Sequence, residues 1–254
     1  MKVISFLATF WMIGAAHGHT QELPARLSVT AQLKWVTDKV FEIPESAIYD
    51  SARDVIYVSN INGVPLQADL NGYISRVKTD GTVEELKWVT GLSAPKGMGI
   101  FGDRLYVADI FRLVEIDIPQ GKIDNSYNLK AQFLNDIAID SAGVVYISDN
   151  MANRIYRFQD GVGEIWREGA LGGPNGLTIE PSGLLVNAMA DGLVRMFGWD
   201  GGKPVDRIRL KVGLDGIVPC HDGYLVSVFD GQVYWVPPGS PPVAVVDTRD
   251  KNMQ

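Results

Sequence analysis

The residues on which most enzyme classes depend are scarce in this chain. Among 254 residues there is one cysteine, Cys220. No internal disulfide can form, and no CxxC pair can hold a metal or cycle between redox states. Cys220 itself reads as structural, because free cysteines are usually buried. Three histidines occur, His17, His19 and His221. A Ser-His-Asp arrangement would have to use His221, which sits in a turn beside Asp222 and Gly223, and a turn histidine is ordinarily a solvated loop residue. There is no G-x-S-x-G elbow, phosphate-binding loop or H-E-x-x-H pair. No stretch sustains a 3.6-residue period, so helices are not expected. Positive charge is in deficit: Lys+Arg total 23 against 30 Asp+Glu, a formal net charge of −7. That balance argues against nucleic acid as the main partner. Long apolar runs are missing too. The longest near the start, residues 3–16, has 14 residues and is too short to span a bilayer.

That run follows Lys2 and ends at Ala16-His17-Gly18, a small-x-small pattern. Residues 1–18 therefore read as a secretory signal peptide and 19–254 as a single mature domain, periplasmic or secreted. An uncut short anchor is the alternative. After cleavage no membrane association is expected. The partner implied is a small-molecule substrate, with no obligate protein partner.

Glycine and proline are plentiful, 27 and 13, and 46% of residues are apolar. This composition suits a turn-rich, globular, all-β chain. The organising feature is a repeat. A turn, a short apolar strand, a second turn and a second apolar strand recur from Pro44, Pro95, Leu134, Pro174 and Leu214. The steps are 51, 39, 40 and 40 residues. Repeats near forty residues with several short strands mark a β-propeller. One blade cannot bury both faces of its sheet, so blades stack around an axis. The first unit is longer, with the excess in residues 61–71 between Asn-Gly turn signals. A strand-like patch at 31–36 precedes the repeats and is expected to complete the last blade. Five units are visible, and the tail offers no closing strand, so a sixth blade is expected to be missing.

One place in each unit holds Glu45, Lys96, Asn135, Asn175 and Asp215. Equivalent positions in a ring of blades converge on the axis. Glu45, Asn135, Asn175 and Asp215 are hard oxygen donors suited to a divalent cation. Calcium is the expected ion, with magnesium, manganese or zinc as alternatives. The competing reading is that Asn175-Gly176 and Asp215-Gly216 only form turns. Lys96 could steer an anionic substrate or pair with a carboxylate. Asn60, Asp109 and Asp149 end the second strands on the same rim, where they could contact substrate, bind a second ion or cap hairpins.

These motifs resemble the gluconolactonase-like β-propellers, over roughly residues 44–246. The resemblance rests on Phe133-Leu134-Asn135-Asp136 with Asp140-Ser141-Ala142-Gly143, on Pro174-Asn175-Gly176-Leu177 and on Leu214-Asp215-Gly216. It implies six blades around one divalent metal held by Glu45, Asn135, Asn175 and Asp215, with Asp215 also as general base. It implies hydrolysis of a lactone or related cyclic ester. A non-catalytic ligand- or protein-binding propeller with a structural metal is the alternative. The family's usual Glu-Gly-Pro is here Glu45-Ser46-Ala47, and the place of an arginine that holds sugar lactones in animal members is Phe133.

Overall fold

The computed structural model describes residues 2–9 and 28–249, and every regular element in them is a β-strand. Five four-stranded antiparallel sheets follow one another along the chain, each with its strands in sequence order. Their innermost strands are Pro44–Asp50, Pro95–Phe101, Leu134–Ile139, Pro174–Glu180 and Leu214–Cys220, which define blades one to five. These strands pack side by side in that order.

The repeat builds the blade through burial. Second strands such as Val145–Asp149 and Gly183–Ala188 are buried throughout. They lie between neighbouring sheets and so read as nearly continuous apolar runs. Outermost strands such as Lys122–Asn128 and Val205–Arg209 are largely exposed. The apolar cores lie between blades rather than within them. Tyr57, Ile74 and Leu92 of blade one meet Met98, Leu105 and Val107 of blade two. Leu185, Val194 and Met196 of blade four meet Leu214, Ile217 and Val226 of blade five. Each such seam removes several large side chains from water, at about 1.5–3 kcal/mol per buried side chain.

Two expectations are corrected. The fold contains five blades, not six: each of the five repeats supplies one complete four-stranded sheet, and the two strands left among the described residues form a sheet of their own rather than a sixth blade. Nor does the lead-in strand join a blade. Ser28–Val36 pairs instead with Lys2–Thr9 in a separate antiparallel sheet. Its position still serves the ring. Val29 packs on Leu225 and Trp235 of blade five. Trp35 donates its Nε1–H to Thr79 O of blade one at 2.8 Å. The strand thus straps blade five to blade one away from the innermost strands. The expected cleavage site Ala16-His17-Gly18 lies outside the described residues.

Candidate functional site

A single backbone irregularity, repeated five times, builds the site. In blade one Pro44 pairs with Asn60 and Ala47 with Val58, so Glu45 and Ser46 together oppose Ser59. The same two-against-one bulge falls at 96–97, 135–136, 175–176 and 215–216. A bulge kinks the strand and re-aims its side chains. The repeat position found in the sequence is therefore the first bulged residue of every blade.

The second bulged residue loses its ladder partner and needs another. In blades one, three and five a serine on the facing strand supplies it. Ser59 Oγ accepts from Ser46 N at 3.0 Å, Ser148 Oγ from Asp136 N at 2.9 Å and Ser227 Oγ from Gly216 N at 2.7 Å. In blade four Asn187 turns across the seam and donates to Asp215 O and Gly216 O of blade five, at 3.1 and 3.0 Å. Glycine at the second bulged place lets neighbouring strands approach closely. A Cβ on Gly97 would lie 2.6 Å from Asn135 O, and one on Gly176 would lie 2.4 Å from Asp215 O.

Two of the first bulged residues meet directly, and a third lies within electrostatic reach of them. Asn175 donates its Nδ2–H to Asp215 Oδ1 at 3.1 Å, joining blades four and five. Asp136, beside Asn135, accepts Leu177 N–H at 2.8 Å and so ties blade three to blade four. Glu45 lies within electrostatic reach of Asp215, Asp136 and Lys96. The carboxyl of Glu45 is pushed up, first by loss of hydration inside the ring and then by Asp215, with Lys96 opposing. Glu45 is nevertheless exposed at the open side of blade one. Water reaches the side chain while protein surrounds it at longer range, so the direction of the shift stands and its size is reduced by hydration. Desolvation likewise raises Asp215, with the Asn175 amide opposing, and brings Asp136 up to about 7.

Asp136 was not singled out by the sequence reading. Its signal was available: at the second bulged place three units have glycine and one has serine, while blade three alone has a carboxylate.

The remaining candidates have other duties. Lys96 is buried, bonds Ala94 O at 2.9 Å and sits 4.3 Å from the centre of the Phe133 ring. Desolvation lowers its pKa, with Glu45 and Asp109 opposing. Its head group is directed into the blade one–two rim. Asp109 accepts from Ser93 N and Ala94 N and pairs with Arg112 at 2.8 Å. Asp149 accepts from Gln132, Phe133 and Ala152 N–H groups. Asn60 bonds Val58 O and Ser75 Oγ. Asp109 and Asp149 hold the connections beside their strands, whereas Asn60 joins the second strand of blade one to the third.

The cluster fits a cation in its chemistry. The carboxyls of Glu45, Asp136 and Asp215 lie within electrostatic reach of one another, and Lys96 offsets their charge only at Glu45. The side chains of Glu45 and Asn135 make no hydrogen bond among the described residues, leaving their oxygens free. Also among the described residues, no three acidic, histidine or cysteine side chains stand at ligating spacing. A cation here would therefore depend on the amide oxygens of Asn135 and Asn175 as well as on the carboxylates. Two clefts, about 670 Å³ between blades four and five and about 370 Å³ between blades two and three, contain none of these residues.

No protein-family profile and no curated protein matches the chain. Solved structures do resemble it. A catalytically inactive variant of virginiamycin B lyase from Staphylococcus aureus, with quinupristin, is similar at 13% identity and a TM-score of 0.63, over 98% of this chain and 90% of that one. A chain of a nidogen/laminin complex is similar at 16% identity and a TM-score of 0.66, over 82% of this chain and 80% of that one. A protein provisionally named a gluconolactonase is similar at 18% identity and a TM-score of 0.60, over 81% of this chain and 78% of that one. At these identities the likeness establishes the propeller fold.

Proposed function

We propose that the protein is a secreted or periplasmic hydrolase of a lactone or related cyclic ester, dependent on one divalent cation. The observation that carries this reading is that Glu45, Asn135, Asn175 and Asp215 hold the same bulged place of four blades, with Asn175 bonded to Asp215, Glu45 within electrostatic reach of Asp215, and both carboxyls raised first by loss of hydration. The likeness to a provisional gluconolactonase agrees with it. Glu45, Asn135, Asn175 and Asp215 would hold the ion, calcium first. When bound, such an ion polarises a carbonyl and lowers the pKa of a coordinated water.

The chain's own residues supply the rest. Asp215 takes the proton from the attacking water as general base. The Asn175 amide fixes the rotamer of Asp215 by the 3.1 Å hydrogen bond. Asp136 acts from behind, through the Leu177 N–H, to keep blades three and four at the separation the site requires. Ser148 and Ser227 hold the bulges that aim Asn135 and Asp215.

The test is a panel of lactones assayed with and without chelator, on the wild type and on Asp215→Asn. The expected result is chelator-sensitive turnover that falls on the order of 100-fold in the variant even at saturating cation. Full recovery at high cation would make Asp215 a ligand only. No turnover on any lactone would favour a binding propeller, a role also seen in the fold's likeness to a chain of a nidogen/laminin complex.

A further inference from the structure

The one long departure from the forty-residue repeat is the connection of residues 61–71 in blade one, which lies on the rim where the innermost strands begin. A polar surface insertion would need no explanation. This one reads Ile-Asn-Gly-Val-Pro-Leu-Gln-Ala-Asp-Leu-Asn; Ile61 is buried and anchors the loop, while Val64, Leu66 and Leu70 are exposed. Val64 is 55% exposed, Leu66 52% and Leu70 57%, and the adjoining Ile43 is 51% exposed. Scattered exposed apolar side chains are ordinary; four gathered on one lip of a polar site are not.

The patch is held in place. Ile61 N donates to Ile43 O at 3.1 Å and Asn62 N to Glu42 O at 3.0 Å, so the loop is tied to the segment entering Glu45. Asn62 Nδ2 donates to Asn71 O at 2.8 Å and closes the loop at its base. The buried ammonium of Lys96 reaches Pro65 O at 3.4 Å. Ile43 and Leu70 adopt left-handed backbone at φ 53° and 60°. That conformation is costly for bulky side chains, and here it serves to present them to solvent.

We infer that residues 61–71 with Ile43 form an apolar subsite for the same ligand that the axial cluster receives. The substrate class is then a cyclic ester carrying an alkyl or aryl arm. This inference rests on the proposed axial site. Its polar ring would sit by Glu45, two residues beyond Ile43, while its arm would lie along Val64, Leu66 and Leu70. A negatively charged lipid surface fits less well, because Asp69 shares the exposed face of the loop and the one nearby lysine, Lys96, is buried.

The experiment compares γ-butyrolactone, γ-octalactone and γ-decalactone as substrates of the wild type and of the triple variant Val64→Ser, Leu66→Ser, Leu70→Ser. In the wild type kcat/KM should rise about two- to fourfold per added methylene, as expected for partial burial of an alkyl chain. In the variant that gradient should flatten, with little change on γ-butyrolactone. A second arm does not depend on turnover. Calorimetric titration with a γ-lactam, bare or hexyl-substituted, should show tighter binding of the hexyl form to the wild type and no preference in the variant. Preference without hydrolysis would leave the subsite standing and defeat the hydrolase reading. Absence of a chain-length preference in the lactam titration would overturn the subsite, whatever the turnover.

Discussion

Blades one and four begin alike and end in opposite surroundings. Each opens on a proline, bulges at the next two residues and then runs as a short apolar strand. Pro174–Glu180 is buried over its first five residues, whereas Pro44–Asp50 is mostly exposed until Asp50. The strand of blade four is packed on both sides, by blades three and five. The strand of blade one is packed on one side by blade two, with no comparable packing on the other among the described residues. The strap Ser28–Val36 joins the ends of the array farther out. Identical local grammar therefore yields a rigid wall on one side of the site and an open one on the other. Glu45 stands on the open side, and Asn175 and Asp215 on the rigid side. The rigid wall fixes geometry, and the open wall admits water and ligand.

The largest expected effect of breaking this contrast comes from Gly176→Ala. Its Cβ would meet Asp215 O at 2.4 Å and Gly216 Cα at 2.9 Å, backbone atoms that cannot swing away. A loss of about 3 kcal/mol is expected, read from the urea midpoint. At the equivalent place in blade one Ser46→Ala should change stability by less than about 0.5 kcal/mol, since the strand there is open. Equal losses at the two positions would mean that the two walls do not differ.

Next in size is a pH effect in chelator-treated protein. The Asp136 carboxyl is raised from 3.8 to about 7 by burial. The folded state thus binds this proton more tightly than the unfolded chain. The contribution to stability is present below about pH 4, is lost as pH rises toward 7, and is constant above. The stability difference between wild type and Asp136→Asn should therefore move in favour of the variant across that window; the full shift corresponds to about 4 kcal/mol, and the partial exposure of Asp136 reduces the expected total to about 2 kcal/mol. A difference that stays level from pH 4 to 7 would remove the claim that this group is forced toward the neutral form.

The smallest effect is that of the bulge serines. Ser148→Ala leaves the Asp136 N–H without its partner inside a packed seam and should cost about 1 kcal/mol. Ser59→Ala should cost less, because water can reach the Ser46 N–H on the open wall. The reverse order would place the tighter packing on blade one.

Much of this was legible in the sequence. The forty-residue period gave the blades and the alternation gave their outer strands. The step of 51 residues located the long rim loop of blade one. Aligning the units placed Glu45, Asn135, Asn175 and Asp215 in one row, and the structure brings Asn175 and Asp215 into contact. The bulge was not visible, because it is a property of register between two strands, and neither strand alone announces it. Asp136 was passed over for that reason: one residue along the bulge, it faces the neighbouring blade instead of following the row. For Asp109 and Asp149 the sequence left ligand and hairpin cap equally open, because a carboxylate that accepts backbone N–H groups cannot be told by type from one that is free. The blade count went too far: the tally of repeats was five, and the missing sixth was inferred from a tail without a closing strand and from the family resemblance.

The most direct measurement is a calorimetric titration of calcium into wild-type protein, Asp215→Asn and Asp160→Asn, the last a carboxylate on a turn at the far end of blade three. The wild type should take up one ion per chain. Asp215→Asn should weaken that binding on the order of tenfold or more through loss of a ligand charge, and Asp160→Asn should leave it unchanged. A wild type that binds no cation, or two variants that weaken binding equally, would contradict the convergence of the bulged residues on one ion.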